Sequence, residues 1–197
     1  MKGKISPRLA LVIIAAFFIL PLLAAWLMYS GVIDYDPANT RNLGVLVSPP
    51  EPVALDSLDF GDGNAAKLRE HWVVLYALPD PCDQACLEET AALRQVHIAS
   101  GRNQSRIRLL LFGETDAETG QNLQKIYPEF IRASGDGDRV ASLLQDIAAN
   151  HSSATERSAY LIDPLGNIML FYAAGFDPND LKKDLKRLLT WSKLDEQ

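Results

Sequence analysis

Positive charge is scarce over most of this 197-residue sequence. Three of its 19 basic residues, Lys2, Lys4 and Arg8, stand at the N-terminus. The other 16 share the rest of the chain with all 25 acidic residues, a formal charge of −9. Phosphate contacts need a basic face, so nucleic-acid binding is disfavoured, while a basic partner stays compatible. No Lys or Arg occurs between Arg69 and Arg94. Internal repeats and low-complexity tracts are absent too, which leaves length enough for one domain with a single core. Cys82 and Cys86 are the only cysteines and His71, His97 and His151 the only histidines. Any metal site therefore has few soft or nitrogen donors to draw on.

One long apolar run is present, LALVIIAAFFILPLLAAWLMY from Leu9 to Tyr29. A helix rising ~1.5 Å per residue needs about that length to cross a bilayer core. A secretory apolar region is shorter, roughly 7–15 residues, and no A-x-A cleavage site follows this one. The run reads as an uncleaved single-pass anchor, with a cleaved signal as the alternative. Pro21 is tolerable as a kink, and Trp26 and Tyr29 fall where an aromatic belt would lie. Lys2, Lys4 and Arg8 precede the run, whereas the first charges after it are Asp34 and Asp36. The positive-inside rule then keeps residues 1–8 in the cytoplasm and exports everything after the span. The expected organisation is an anchor over 9–29, a polar, turn-rich linker over 30–43 and an exported domain over 44–197. In an oxidising compartment, two cysteines default to a disulfide.

Within that domain the pattern predicts a short strand at Gly44–Val47, ended by Pro49, Pro50 and Pro52. An extended piece over Val53–Leu58 would form an edge hairpin, and GDGN at 61–64 a turn. WVVLYAL, residues 72–78, reads as a strand buried on both faces. A helix follows from about Asp83 to Ala99, then a second buried strand, RIRLLLF, at 106–112. Short helices are expected around 117–126 and, capped by Asp138, over 138–150. SAYLI (158–162), the turn DPLG and NIMLFYA (167–173) make a hairpin. Asp177 and Pro178 open a last helix as cap and first residue. The resulting β-α-β-α-β-β-α order is that of a thioredoxin-like α/β domain. In that fold the reactive cysteines sit where the first core strand gives way to the next helix, as Cys82 and Cys86 do.

Three roles compete for the stretch PDPCDQAC. A step of four residues on a helix leaves Cβ atoms roughly 5–6 Å apart, whereas a disulfide wants about 3.8 Å. A bond between them needs local adjustment and should be reducible, so a structural staple is the weakest reading. Two thiolates on one helical face converge on a soft ion such as Cu(I) without strain, given a third ligand from elsewhere. A helix N-terminus favours thiolate, but Asp80 and Asp83 oppose it by like-charge repulsion, with no nearby cation in sequence to counter them. A reductant or metal site fits better than a strong oxidant. As third ligand, His71 lies about 20 Å away along the strand and His97 about 16 Å along the helix. His151 sits in the loop before the hairpin, which folds over the helix start in this fold, so it is the one histidine that can reach. A helix C-terminal role, favoured by the dipole, is the leading reading of it. Met169 is expected in the core.

The chain resembles the Sco/SenC family of membrane-anchored, thioredoxin-like proteins that handle copper in cytochrome c oxidase assembly. The likeness rests on the single anchor, on Cys82-Asp-Gln-Ala-Cys86 as a C-x-x-x-C motif, and on YLIDPLGN at 160–167, which matches the form Y-L-x-D-P-x-G. Asp83 stands where the family usually has proline. Thr155 stands where its copper-binding histidine falls, with His151 four residues upstream. The resemblance implies that Cys82 and Cys86 are redox thiols or ligands of Cu(I), with His151 as a third ligand if the loop is rearranged. It further implies a bacterial inner-membrane protein whose domain faces the periplasm and meets an oxidase subunit or another copper or thiol protein. Cys82, nearer the loop, would attack and Cys86 resolve. The alternative is a non-catalytic docking domain of the same fold that binds an oxidase subunit.

Overall fold

A computed structural model describes residues 6–30, 41–60, 64–134 and 139–192. The chain divides into two units, Met1–Thr40 and Arg41–Gln197. In the first, Pro7–Tyr29 is one continuous helix, α1, which carries Pro21 internally. Ser6 caps it by accepting the Leu9 N–H at 3.3 Å, and Pro7 takes the first helical position, where no N–H is missed. Its length and composition suffice to cross a membrane. Most of the anticipated linker lies outside the described residues, as do most of the GDGN turn and the Asp138 cap.

The second unit is built on one six-stranded mixed sheet. Its elements run β1 (Val45–Pro52), β2 (Trp72–Ala77), α2 (Gln84–Ala99), β3 (Ile107–Phe112), α3 (Ala117–Ile126), β4 (Phe130–Ala133), α4 (Arg139–Asn150), β5 (Ala159–Ile162), β6 (Asn167–Tyr172) and α5 (Pro178–Trp191). The strand order is β1-β6-β5-β2-β3-β4, with β3 parallel to β2 and β4, and the other pairs antiparallel. All six residues of β2 are buried, because helices cover both faces of an interior strand. Alternation sends Val73, Leu75 and Ala77 into one layer with Val140, Leu144 and Ile147 of α4. Trp72, Val74 and Tyr76 enter the opposite layer, with Cys86 and Leu93 of α2 and Leu181, Leu185 and Leu189 of α5. This is the thioredoxin-like arrangement, with β1 and β4 added at the two edges.

Two local expectations are corrected, and one strand is added. The prolines do not end the first strand: β1 runs through them to Pro52, and its pairing to β6 shifts register between Leu46 and Glu51. An edge strand tolerates proline at such an irregularity, since the missing N–H has no ladder partner to lose. Residues 55–57 form a 3₁₀ turn rather than a strand, and β1 pairs with β6 instead. At the other edge, β4 is a strand of four residues, too short for alternation to reveal it.

The start of this unit is fastened to its last helix by a buried carboxylate. Asp184 on α5 is 2% exposed. It accepts the Leu43 and Gly44 N–H groups at 2.8 and 2.9 Å, and the Tyr172 hydroxyl at 3.0 Å. Arg187 donates to its other oxygen at 3.2 Å. A carboxylate survives burial only with such donors. Burial and the Asp184 charge push the Tyr172 phenol well above its ordinary range. Gly44 lies against that ring, where a Cβ would come within 2.6 Å. Asp184→Ala would remove the acceptor of all four donors and is expected to cost about 2–4 kcal/mol, and Tyr172→Phe about 1 kcal/mol. Urea unfolding of the detergent-solubilised chain checks this, and unchanged midpoints would contradict it.

Candidate functional site

The site is set where β2 runs out. Leu78 still extends the β2–β3 ladder, donating to the Phe112 carbonyl at 2.8 Å, and Gly113 makes room for it. A Cβ on Gly113 would meet Leu78 at 3.2 Å, and its φ of +139° is one that side-chain-bearing residues rarely adopt. After Pro79-Asp80-Pro81, Asp83 caps α2 by accepting the Cys86 N–H at 2.9 Å. Cys82 therefore stands before the helix, and Cys86 in its first turn.

The two cysteines form a disulfide with Cα atoms 5.4 Å apart. The helical four-residue spacing that argued against easy closure does not apply. Cys82 lies outside the helix, and the extended backbone at Asp83 supplies the adjustment. Cys86 is fully buried in a cluster with Tyr76, Leu78 and Leu93, whereas Cys82 is half-buried and packs against that cluster. Of the two cysteines, Cys82 is the one that keeps surface open to solvent.

Nearby charge differs from expectation. Sequence distance suggested that nothing offsets Asp80 and Asp83, yet Arg157, from the segment before β5, comes close to Asp83 in space. Its guanidinium grips Glu89 of α2 with contacts of 2.6 and 3.2 Å and lies 3.9 Å from Asp83. Glu89 also accepts the Tyr76 hydroxyl. Burial, then the Glu89 carboxylate, pushes the Tyr76 phenol well up, and the Glu89 hydrogen bond raises Arg157. Arg157 itself is held at a φ of +62°, with its N–H on the Ala77 carbonyl at 2.7 Å. A signal was present: Arg157 is the only Lys or Arg in NHSSATERSAY, the loop expected to fold over the helix start.

That loop reaches α2 through Arg157 and not through His151. The His151 ring stacks on Phe171, centroids 5.3 Å apart. Phe171 belongs to the layer beneath α4, while Cys86 lies in the layer beneath α2 and α5. The sheet thus comes between imidazole and thiols, which are not brought together. His71 contacts Arg108 and the Arg69 carbonyl, and His97 the Gln104 carbonyl, both apart from the cysteines. Met169 packs against the α2 and α5 layer. Among the described residues, no three His, Cys, Asp or Glu side chains cluster as a metal site would require. The donors on offer to a soft ion are the two thiols.

A thioredoxin-like domain with an accessible and a buried cysteine at a helix start is the class that fold and site define. The chain belongs to the transmembrane-like, thioredoxin-like, C-terminal domain family, whose model matches residues 72–192. No curated protein matches the sequence. Among solved structures, copper-bound yeast Sco1 is similar at a TM-score of 0.52 and 16% identity, over 81% of this chain and 100% of that one. Copper-bound ScoI of Arabidopsis thaliana follows at 0.49 and 16%, over 76% and 99%. A SCO1/SenC family lipoprotein from Bacillus anthracis str. Ames gives 0.49 and 17%, over 73% and 99%. The likeness to Sco/SenC structures is one of fold.

The burial difference makes the two thiols unequal. After reduction, limiting iodoacetamide is expected to label Cys82 at least about tenfold faster than Cys86, since access and thiolate character govern the rate. Peptide mass spectrometry reads the ratio, and equal labelling would contradict the assignment.

Proposed function

We propose that this is a Sco-like accessory factor for respiratory cytochrome oxidase assembly. Its anchor over residues 9–29 places the 44–197 domain on the periplasmic side of a bacterial inner membrane. There the Cys82–Cys86 pair exchanges with thiols of a partner, an oxidase subunit or another copper or thiol protein. The observation that carries the reading is the asymmetry of the disulfide, with Cys82 approachable from solvent and Cys86 buried directly behind it. In the reducing direction, the Cys82 thiolate attacks a partner disulfide and forms a mixed disulfide while the partner's other sulfur leaves as thiolate. Cys86 then attacks Cys82, the pair closes, and the partner is released as a dithiol ready for metal. The same reduced pair suits Cu(I) as cargo, because two thiolates meet the preference of a soft ion. That copper is bound by the relatives in yeast and Arabidopsis thaliana supports this half.

Two experiments test the halves separately. Cys86→Ser leaves Cys82 without its resolving partner, so membranes from cells carrying it should show dithiothreitol-sensitive adducts that Cys82→Ser does not give. If both variants trap equally, or neither does, exchange is wrong and a docking role gains. For copper, the anaerobically reduced chain is expected to hold about one Cu(I) per chain against a chromogenic competitor. Serine at either cysteine should abolish binding, and His151→Ala should leave it unchanged. Retained binding in the serine variants would remove the copper half.

A further inference from the structure

Resting on the exchange chemistry above, we propose that Arg157 is the positioning residue of the Cys82–Cys86 pair, and that its charge makes the disulfide easier to reduce. In sequence, Cys86 is flanked by two carboxylates, one at the cap of its helix and one a turn further on. Asp83 sits three residues before it and is hydrogen-bonded to its N–H at 2.9 Å. Glu89 sits three residues after it, a neighbouring position on the same helical face. Arg157 reaches both, forking onto Glu89 at 2.6 and 3.2 Å and lying 3.9 Å from Asp83. Among the described residues, no other Lys or Arg pairs with either carboxylate.

The consequence follows from where the electrons go. When a thiolate attacks the Cys82 sulfur, a new S–S bond forms there and the Cys82–Cys86 bond breaks. Its electron pair leaves on Cys86 as thiolate. That negative charge arises at a fully buried atom, where neighbouring charges weigh more than in water. The two carboxylates three residues to either side oppose the step, and the cation that bridges them offsets that opposition. The backbone is arranged to deliver the cation. Arg157 occupies a left-handed conformation unusual for a residue with a side chain. Its N–H bonds to the Ala77 carbonyl, and the Ala77 N–H to the Ser158 carbonyl, which pins the loop to the end of β2.

The test is the thiol–disulfide equilibrium of the detergent-solubilised full chain with dithiothreitol, read by alkylation mass shift. A second thiol of the reagent displaces Cys82, giving two protein thiols and cyclic disulfide, so no partner protein enters. Arg157→Gln should move the equilibrium constant about tenfold toward the protein disulfide, the effect of roughly one charge at close range. Arg157→Lys, which keeps the charge, should stay within about threefold of the parent. Arg157→Gln combined with Glu89→Gln should recover most of the loss, and Glu89→Gln alone should favour the dithiol. Circular dichroism and unfolding midpoints establish that each variant is folded. If Arg157→Gln fails to fold, the lysine and Glu89 variants still decide. An unchanged constant in folded Arg157→Gln overturns the proposal, as does a loss in Arg157→Lys equal to that in Arg157→Gln. Failure to trap a partner in cells would count against the exchange function and leave this equilibrium unaffected.

Discussion

The burial of β2 on both faces is the constraint on which the rest of the second unit depends. Six consecutive buried residues cannot lie at a sheet edge or face water, so helices must cover both sides of Trp72–Ala77. Odd-numbered positions then face α4, and even-numbered ones face α2 and α5. Because β2 is interior and parallel to β3, the chain leaves it at the carboxyl end of the sheet and must turn back along a helix. Cys82 falls at that turn and Cys86 in the helix that follows. The cysteine site is the place where a buried strand has to stop.

What the turn becomes chemically is decided by caps and charges rather than by the core. Asp83 ends the extended segment and starts α2 with one hydrogen bond. The same bond places a carboxylate beside the pair, in a domain already rich in acid. Arg157 answers it from 74 residues away in sequence, through a loop whose backbone is tied to the end of β2. Asp184 solves the same electrostatic problem differently: it is buried almost completely and surrounds itself with donors. One carboxylate fastens the fold, and the other caps the helix that carries Cys86.

Much of this was legible because long elements declare themselves. The apolar runs at 72–78 and 106–112 and the leucine face of α5 each carry a period that packing must honour. The position of Cys82 and Cys86 at a strand-to-helix junction followed from those alone. The short strand Phe130–Ala133 was not legible, since four residues hold too little pattern. The prolines of β1 misled because an edge strand forgives what an interior strand does not. His151 and Arg157 lie six residues apart in one loop. Which of them meets α2 depends on the loop's path, which no spacing rule encodes. Arg157 has a carboxylate to grip, whereas His151 has an aromatic ring to lie against on the far side of the sheet.

Everything functional turns on whether Cys82–Cys86 is a working couple or a staple. The reduction potential of the pair in the intact chain, measured against glutathione and thioredoxin couples, decides it most directly. A working couple predicts a value above about −300 mV, within the range of proteins that exchange disulfides. A value well below about −300 mV would mark a structural disulfide and contradict the redox role.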